Sequence, residues 1–521
     1  MGATDAADQQ LTDAVRAGYT FEGAALELGG LMLDAERLGE VPVRIPVAML
    51  NRHGLVAGAT GTGKTRTLQL MVEQLSAQGV PVFAADIKGD LSGLAQPGAA
   101  NDKLTARAAT LGQQWTATGF PVEFYAIGGL GSGLPLRVTM SAFGPTLLSK
   151  VLGLNETQES SLGLVFHYAD QAGLPLLDLA DLRAVVSHLL SDEGKTELKD
   201  LGGLSSATAG VILRELIGLE DQGGDVFFGE PEFESADLLQ VAADGRGLVS
   251  LVELPQLQDR PAIFSTFLMW LLADLFHDLP EVGDVDKPKL VFFFDEAHLL
   301  FADASKAFLD QVAQTVRLIR SKGVGVFFVT QSPTDVPDNV LAQLGSRVQH
   351  QLRAHTPNDA KALKATVATY PTSGYADLGQ VITGLGIGEA VVTVMNERGA
   401  PTPVAWTRLR APESRMDPCD ADLLAATVAS SPRAAKYQAT VDRESAREIL
   451  AGRLEQGAAK QEAERAGTPA PAPKPRKTAR PKPAPKDDGI VDQVVGSAAF
   501  KDVMRTAARE IVRGMFKTGR R

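Results

Sequence analysis

Short apolar runs alternate with helical periodicities along most of this chain, and that alternation is its first legible feature. Gly54–Ala57 is a brief apolar strand that runs into the glycine-rich string GATGTGKT. From Arg66 to Ala77, Leu68, Met71, Val72 and Leu75 recur at helical spacing, and Gly79 ends the pattern. Val80–Asp86 and Val122–Ile127 read as strands, and Val41–Ile45 as a further one ahead of the glycine string. Between Ala142 and Leu239 the rhythm becomes helical (Leu147–Leu152, Ser161–Gln171, Asp181–Ser191, Ala207–Leu219), punctuated by Gly and Pro. Alternation then resumes. Leu248–Leu254, Lys289–Asp295 and Val324–Gln331 are predicted strands, with helices over Ala262–Asp278 and Lys306–Lys322. Ala390–Met395 and Val404–Leu409 complete the strand set. Strand–helix–strand alternation of this kind predicts an α/β fold with a mostly parallel sheet.

The C-terminal part differs. Thr468–Pro485 alternates Pro, Ala and Lys/Arg and cannot build a core, so it reads as a semi-extended linker. Beyond it, Phe500, Val503, Met504, Ala507, Ile511 and Met515 form one stripe of a basic amphipathic helix over Ile490–Lys517. Docking on its own or a neighbouring subunit, or on a protein partner, is the plain reading of such a helix; membrane-surface or nucleic-acid contact are the others.

Composition narrows the class. A chain of 521 residues has room for two or three domains, and 44% hydrophobic with 22% charged residues is a globular composition. The net charge of −12 argues against general coating of nucleic acid, but it is unevenly spread. From Ala466 onward 13 Lys/Arg face 5 Asp/Glu, so a polyanion would have to meet this tail or a local basic surface. Cys419 is the single cysteine, which excludes an intramolecular disulfide and a Cys-based zinc site. The opening MGATDAADQQ lacks the basic and apolar regions of a signal peptide. Ile263–Phe276, the most apolar stretch, is interrupted by Ser265, Thr266 and Asp274 and is too short to span a bilayer. A cytoplasmic protein with no integral membrane segment is expected.

Candidate chemistry sits at strand ends. Gly58, Ala59, Thr60, Gly61, Thr62, Gly63, Lys64 and Thr65 fit the phosphate-loop pattern G-x-x-x-x-G-K-[ST]. Glycines let successive N–H groups face phosphate oxygens, and the following helix adds its positive end. Lys64 would reach the β- and γ-phosphates of ATP, and the Thr65 hydroxyl would ligate Mg²⁺. Leu290–Phe294 is a buried strand that delivers two carboxylates: Asp295 for the Mg²⁺ shell and Glu296 to polarise the attacking water. Acids complementing a helix dipole are the alternative reading of that pair.

Gln331, at the tip of the Val326–Thr330 strand, is placed to sense the γ-phosphate, although Thr-Gln is also an ordinary strand exit. Arg320 is the first candidate for an arginine presented to a neighbouring subunit's nucleotide, with Arg317 and Arg347 behind it. Asp86 and Lys88, in the Asp86–Asp90 strand exit, belong either to a structural turn or to the site's rim. His298 and His53 read as capping, packing or backbone-satisfying residues.

Taken together, Gly58–Thr65, the string Asp295-Glu296-Ala-His298 and the run from Arg320 to Gln331 resemble the HerA/FtsK superfamily, and within it a bacterial branch of HerA-like helicase proteins. The resemblance spans about Phe21 to Thr407 and includes the Asp86–Asp90 and Gly345–Arg353 segments. It implies a RecA-like P-loop NTPase core, a homo-hexameric ring, ATP hydrolysis with Mg²⁺ between subunits, and translocation of DNA. It also implies phosphate binding by Lys64 and Thr65, metal and catalytic acids at Asp295 and Glu296, a sensor at Gln331, and Arg320 as the arginine ahead of the sensor strand.

Three features of relatives are not expected here. The position of Gly58 leaves no room for the β-barrel that opens archaeal HerA helicases, and neither the membrane anchor nor the DNA-reading module of the FtsK pumps is recognisable. The Asp-Glu-Ala-His string alone suggests two-domain superfamily-2 helicases, but no second RecA-like domain with their arginine motif follows Gln331. The expected organisation is an N-terminal segment (1–48), a first core part (49–141), a helical insertion (142–240) and a second core part (241–411). A helical extension (412–465), the linker (466–488) and the basic helix (489–521) follow. An ATP-driven DNA translocase or helicase is the leading expectation. An ATP-driven protein assembly or remodelling factor and a slow-turnover ATP switch are the alternatives.

Overall fold

The computed structural model describes residues 3–198, 202–254, 261–283, 285–301, 306–439, 441 and 443–467. The linker from Thr468 onward and the amphipathic helix Ile490–Lys517 lie outside the described residues. One compact unit covers Met1–Gln456, and a second begins at Gly457.

The described strands are β1 (Ala25–Met32), β2 (Leu38–Pro46), β3 (Gly54–Ala57), β4 (Val82–Asp86), β5 (Val122–Ile127) and β6 (Leu134–Leu136). They continue with β7 (Val249–Glu253), β8 (Leu290–Phe294), β9 (Val324–Thr330), β10 (Ser346–Gln349), β11 (Glu389–Thr393) and β12 (Ala405–Leu409). All join one 12-stranded sheet in the order β2-β1-β12-β11-β10-β3-β9-β8-β4-β7-β5-β6. From β10 to β6 every neighbouring pair is parallel. The other side, β11, β12, β1 and β2, is antiparallel. The expected α/β, mostly parallel sheet is therefore what the chain adopts.

Burial explains the pattern. Strands covered on both faces need no alternation, and β3, β4, β5, β8 and β9 are buried at every position. Phenylalanines interlock across the centre, with Phe83 of β4 5.0 Å from Phe292 of β8 and Phe293 5.3 Å from Phe327 of β9. Between β6 and β7 the chain runs through helices Met140–Val151, Glu156–Gln171, Leu179–Leu189 and Ser206–Leu219. Asn155 and Asp178 start two of them with reciprocal capping boxes. No described helix is long and apolar enough to cross a membrane.

Strands β1, β6 and β10, absent from the sequence reading, complete the sheet, and helix α1 (Ala3–Gly18) precedes β1. The helix after the glycine string, α2 (Lys64–Ala77), is buried along most of its length. It is also latched from outside. Glu73 accepts N–H groups of Glu413 at 2.8 Å and Ser414 at 2.9 Å. Gln69 donates to the Arg415 carbonyl at 2.9 Å. The segment after β12 thereby fixes the helix that carries Lys64.

Candidate functional site

The glycine string leaves the carboxyl end of β3, which lies between β10 and β9. Gly58, Gly61 and Gly63 hold φ of +154°, +82° and +110°, which L side chains rarely adopt. Space is as strict as torsion at Gly58, where an added Cβ would lie 2.4 Å from the His350 Cβ. Neighbouring strand exits fix the loop: Gly58 N–H donates to the Thr330 carbonyl at 3.2 Å and Ala59 N–H to that of Gln351 at 2.8 Å. Lys64 lies back into the loop, its Nζ donating to the carbonyls of Gly58 at 2.7 Å and Ala59 at 3.2 Å. Burial lowers its pKa, and the charges of Glu296 and Asp295 oppose that shift. Lys64 and Thr65 are the first two residues of α2, so a phosphate in the loop would also meet the positive end of a 14-residue helix.

Parallel topology brings the acid pair to the same edge. Strand β9 lies between β3 and β8, and Asp295 and Glu296 follow the last residue of β8. Asp295 is 2% exposed. Its Oδ1 accepts the Glu296 N–H at 2.9 Å, while its buried Oδ2 has no hydrogen-bond partner. Desolvation, followed by the charge of Glu296, raises its pKa to about 7.

Glu296 takes φ +47°, a left-handed conformation uncommon for a non-glycine residue and worth noting at a candidate active site. Its carboxylate accepts a hydrogen bond from the Lys88 ammonium and lies 3.5 Å from the Gln331 Nε2. His298 Nδ1 approaches to 3.2 Å without hydrogen-bond geometry. Burial pushes the Glu296 pKa up, but Lys88, Gln331 and His298 outweigh it and hold the carboxyl below its ordinary range.

The Asp86–Asp90 exit divides its roles. Asp86 is fully buried, and its carboxylate collects the N–H groups of Lys88, Gly89, Asp90 and Leu91 at 2.7–3.2 Å. It builds the turn, and the turn presents Lys88 to Glu296. Gln331, exposed at the end of β9, completes the group around that carboxylate.

His350 was not singled out by the sequence reading. It is wholly buried after β10, with its Nε2 2.8 Å from the Thr67 Oγ1. Its backbone N–H donates to the Ala57 carbonyl at 2.7 Å. Burial and the Lys64 charge depress its pKa to about 3, so it stays neutral beneath the loop. The only hint was its position inside the Gly345–Arg353 segment.

The arginine candidates lie elsewhere. Arg317, Arg320 and Arg347 line one cleft of about 610 Å³ with Arg52 and His53, at the amino ends of β3, β9 and β10. That is the opposite edge of the sheet, roughly 20 Å from the glycine loop at the usual rise per strand residue. Arg347 is turned onto Thr369 and over the Tyr370 ring at 5.9 Å. His53 accepts the Val326 N–H on Nδ1 at 3.1 Å, and burial lowers its pKa to about 4. Its role as a backbone-satisfying residue is the one expected.

The donors at the loop edge suit Mg²⁺ beside a polyphosphate. That ion takes one or two protein oxygens plus phosphate oxygens and waters. Thr65, at the start of α2, and the partnerless Oδ2 of Asp295 would offer hard oxygen ligands of that kind.

Among solved structures, the fold is similar to the bacterial conjugative coupling protein TrwB lacking its first 70 residues. The TM-score is 0.51 and identity 15%, over 79% of this chain and 94% of that one. TrwB in complex with the ATP analogue ADPNP gives 0.51 and 16%, over 78% and 94%. VirB4 of Thermoanaerobacter pseudethanolicus gives 0.48 and 14%, over 76% and 98%. No curated protein sequence is significantly similar to the chain. The family described as Helicase HerA-like C-terminal matches residues 32–521, nearly the whole length, and the chain belongs to that family.

Proposed function

We propose that this protein is a cytoplasmic, Mg²⁺-dependent ATPase of the HerA/FtsK type, which works as a homo-hexameric ring and moves or unwinds DNA. The observation that carries the ATPase reading is the meeting, along one sheet edge, of the Lys64-bearing loop with the buried carboxylates Asp295 and Glu296. Loop N–H groups and the start of α2 bind the phosphates, and Lys64 transfers its donors from the loop carbonyls to the β- and γ-phosphates. Thr65 and Asp295 would hold Mg²⁺, which would supply neutralisation of charge on the β- and γ-phosphate oxygens. Glu296 orients water and draws off its proton as water oxygen bonds to the γ-phosphorus. The bond from that phosphorus to the β–γ bridging oxygen breaks, and ADP carries the electron pair away. Gln331, beside Glu296, registers loss of the γ-phosphate.

The ring reading rests on the cluster holding Arg320 at the far edge of the sheet. An arginine there is too distant to serve its own loop, yet in a head-to-tail ring that edge faces the neighbour's nucleotide. The net charge of −12 favours a second reading, an ATP-driven factor whose client is a protein.

ATPase turnover with and without single- and double-stranded DNA, on protein sized by light scattering, separates the two. The DNA motor should form a ring, be stimulated by DNA, and bind it with affinity that falls steeply with salt. Turnover indifferent to every DNA form would transfer the assignment to the protein-client reading.

Lys88 gives a prediction in pH. Its ammonium counters the burial of Glu296. With Lys88→Met, burial prevails and the Glu296 pKa rises, so the base becomes ionised only at higher pH. The acidic limb of the kcat profile should therefore move to higher pH. An unmoved limb would show that Lys88 does not set the ionisation of this base.

A further inference from the structure

We infer that a mostly apolar cleft at the first turn of α2 holds the adenine ring of the nucleotide, with Ile387 as its main contact. The inference rests on the ATPase reading above and adds the part of the ligand that the phosphate loop cannot grip. The cleft, of about 310 Å³, begins at Gly63, Arg66 and Thr67 and is continued by Leu104, Ile387, Leu409 and Pro412. Its volume is at the lower end of the range for small-molecule pockets, about 300–1,000 Å³. A triphosphate wrapped by Gly58–Thr65 must send its nucleoside out past the last loop glycine, and the cleft opens there.

The loop carrying Ile387 is tied to the phosphate loop. Gly388 N–H donates to the Thr62 carbonyl at 3.1 Å. Arg107, from α3 (Asp102–Thr110), spends its guanidinium on carbonyls: those of Ile387 at 3.0 Å, Gly388 at 3.0 Å and Leu409 at 3.1 Å. At Gly388, with φ +74°, an added Cβ would come 2.7 Å from that guanidinium. Glu389 braces the same loop from behind, accepting the Gly386 N–H at 3.0 Å and the Trp406 Nε1–H at 3.1 Å.

A loop anchored this thoroughly buries Leu385 but holds the Ile387 side chain in water. Ile387 is 76% exposed, the highest value among the large hydrophobic residues of the described chain. A scattered exposed aliphatic residue needs no explanation. One fixed on a braced loop, bordering an apolar cleft continuous with a phosphate cradle, matches the flat apolar face of a base.

Titration calorimetry of the full chain with Mg-ATP and with Mg-tripolyphosphate tests the assignment. Ile387→Ser removes the apolar contact at an exposed position and adds no charge that would repel phosphate. Its ATP affinity should fall by about tenfold, with tripolyphosphate binding unchanged and Ile387→Leu close to wild type. Parallel losses for both ligands, or undiminished ATP affinity, would overturn the base site while leaving the phosphate loop intact. If the wild-type protein takes up neither ligand, the ATPase reading itself fails and the base site goes with it.

Discussion

A Glu296→Gln protein should bind Mg-ATP about as tightly as wild type and hydrolyse it about 10²–10⁴-fold more slowly, the usual effect of removing a positioned general base. The exchange is nearly isosteric at a residue only 4% exposed, so packing against the strand exits is retained. The amide oxygen can still accept from the Lys88 ammonium, which preserves the turn built on Asp86. What is lost is the capacity to take a proton. Glu296 has that capacity at neutral pH because its neighbours hold the carboxyl below the ordinary range despite burial.

Asp295 differs in kind. Its pKa is raised to about 7 and one oxygen has no partner, the condition of a group completed by a cation. The two adjacent acids thus occupy environments that push their ionisation apart, which supports separate roles for them. Trapping radiolabelled ATP on the variant and following a single turnover by rapid quench separates binding from chemistry. Undiminished turnover would remove Glu296 from the reaction.

What could be read in advance follows from how locally each feature is encoded. Strands β8 and β9 are legible because burial on both faces demands continuous apolar runs, LVFFF and VGVFFVT. The phosphate loop is legible because its backbone needs glycine at spaced positions with positive φ, a requirement written into consecutive residues. Strand β10 is not: Ser-Arg-Val-Gln carries no apolar run, and it becomes a strand because β3, some 290 positions earlier in the chain, pairs with it. Strand β1 is hidden by Gly29 and Gly30, where register shifts break its alternation.

The same distinction applies to the site. Asp295 and Glu296 are announced by the strand before them. The significance of His350 and Arg107 lies entirely in contacts with distant residues: the Thr67 hydroxyl for one, the Ile387–Gly388 carbonyls for the other. For the arginines, the local sequence puts Arg320 first, just ahead of β9, whereas parallel topology decides which sheet edge they occupy and gathers Arg317, Arg320 and Arg347 in one cleft.

Replacing Lys64 by Ala should abolish useful nucleotide binding, weakening Mg-ATP by on the order of 100-fold, the scale of a lost charge-assisted contact to phosphate. Without nucleotide, the same change should do little to the fold. Lys64 is 7% exposed, and desolvation lowers its pKa, so its bonds to the Gly58 and Ala59 carbonyls are offset by the cost of burying its charge. Thermal unfolding reads both effects in one experiment. A ligand that binds only the folded state raises stability by RT ln(1 + [L]/Kd), so wild-type protein should gain several degrees in Tm at saturating Mg-ATP. The variant should start from nearly the same Tm and gain almost nothing. Equal nucleotide-induced shifts in the two proteins would mean that the phosphates are held without the lysine, and the loop at Gly58–Thr65 would lose its assignment as the cradle. A low starting Tm would instead make Lys64 a structural residue whose charge the loop carbonyls need even in the absence of phosphate.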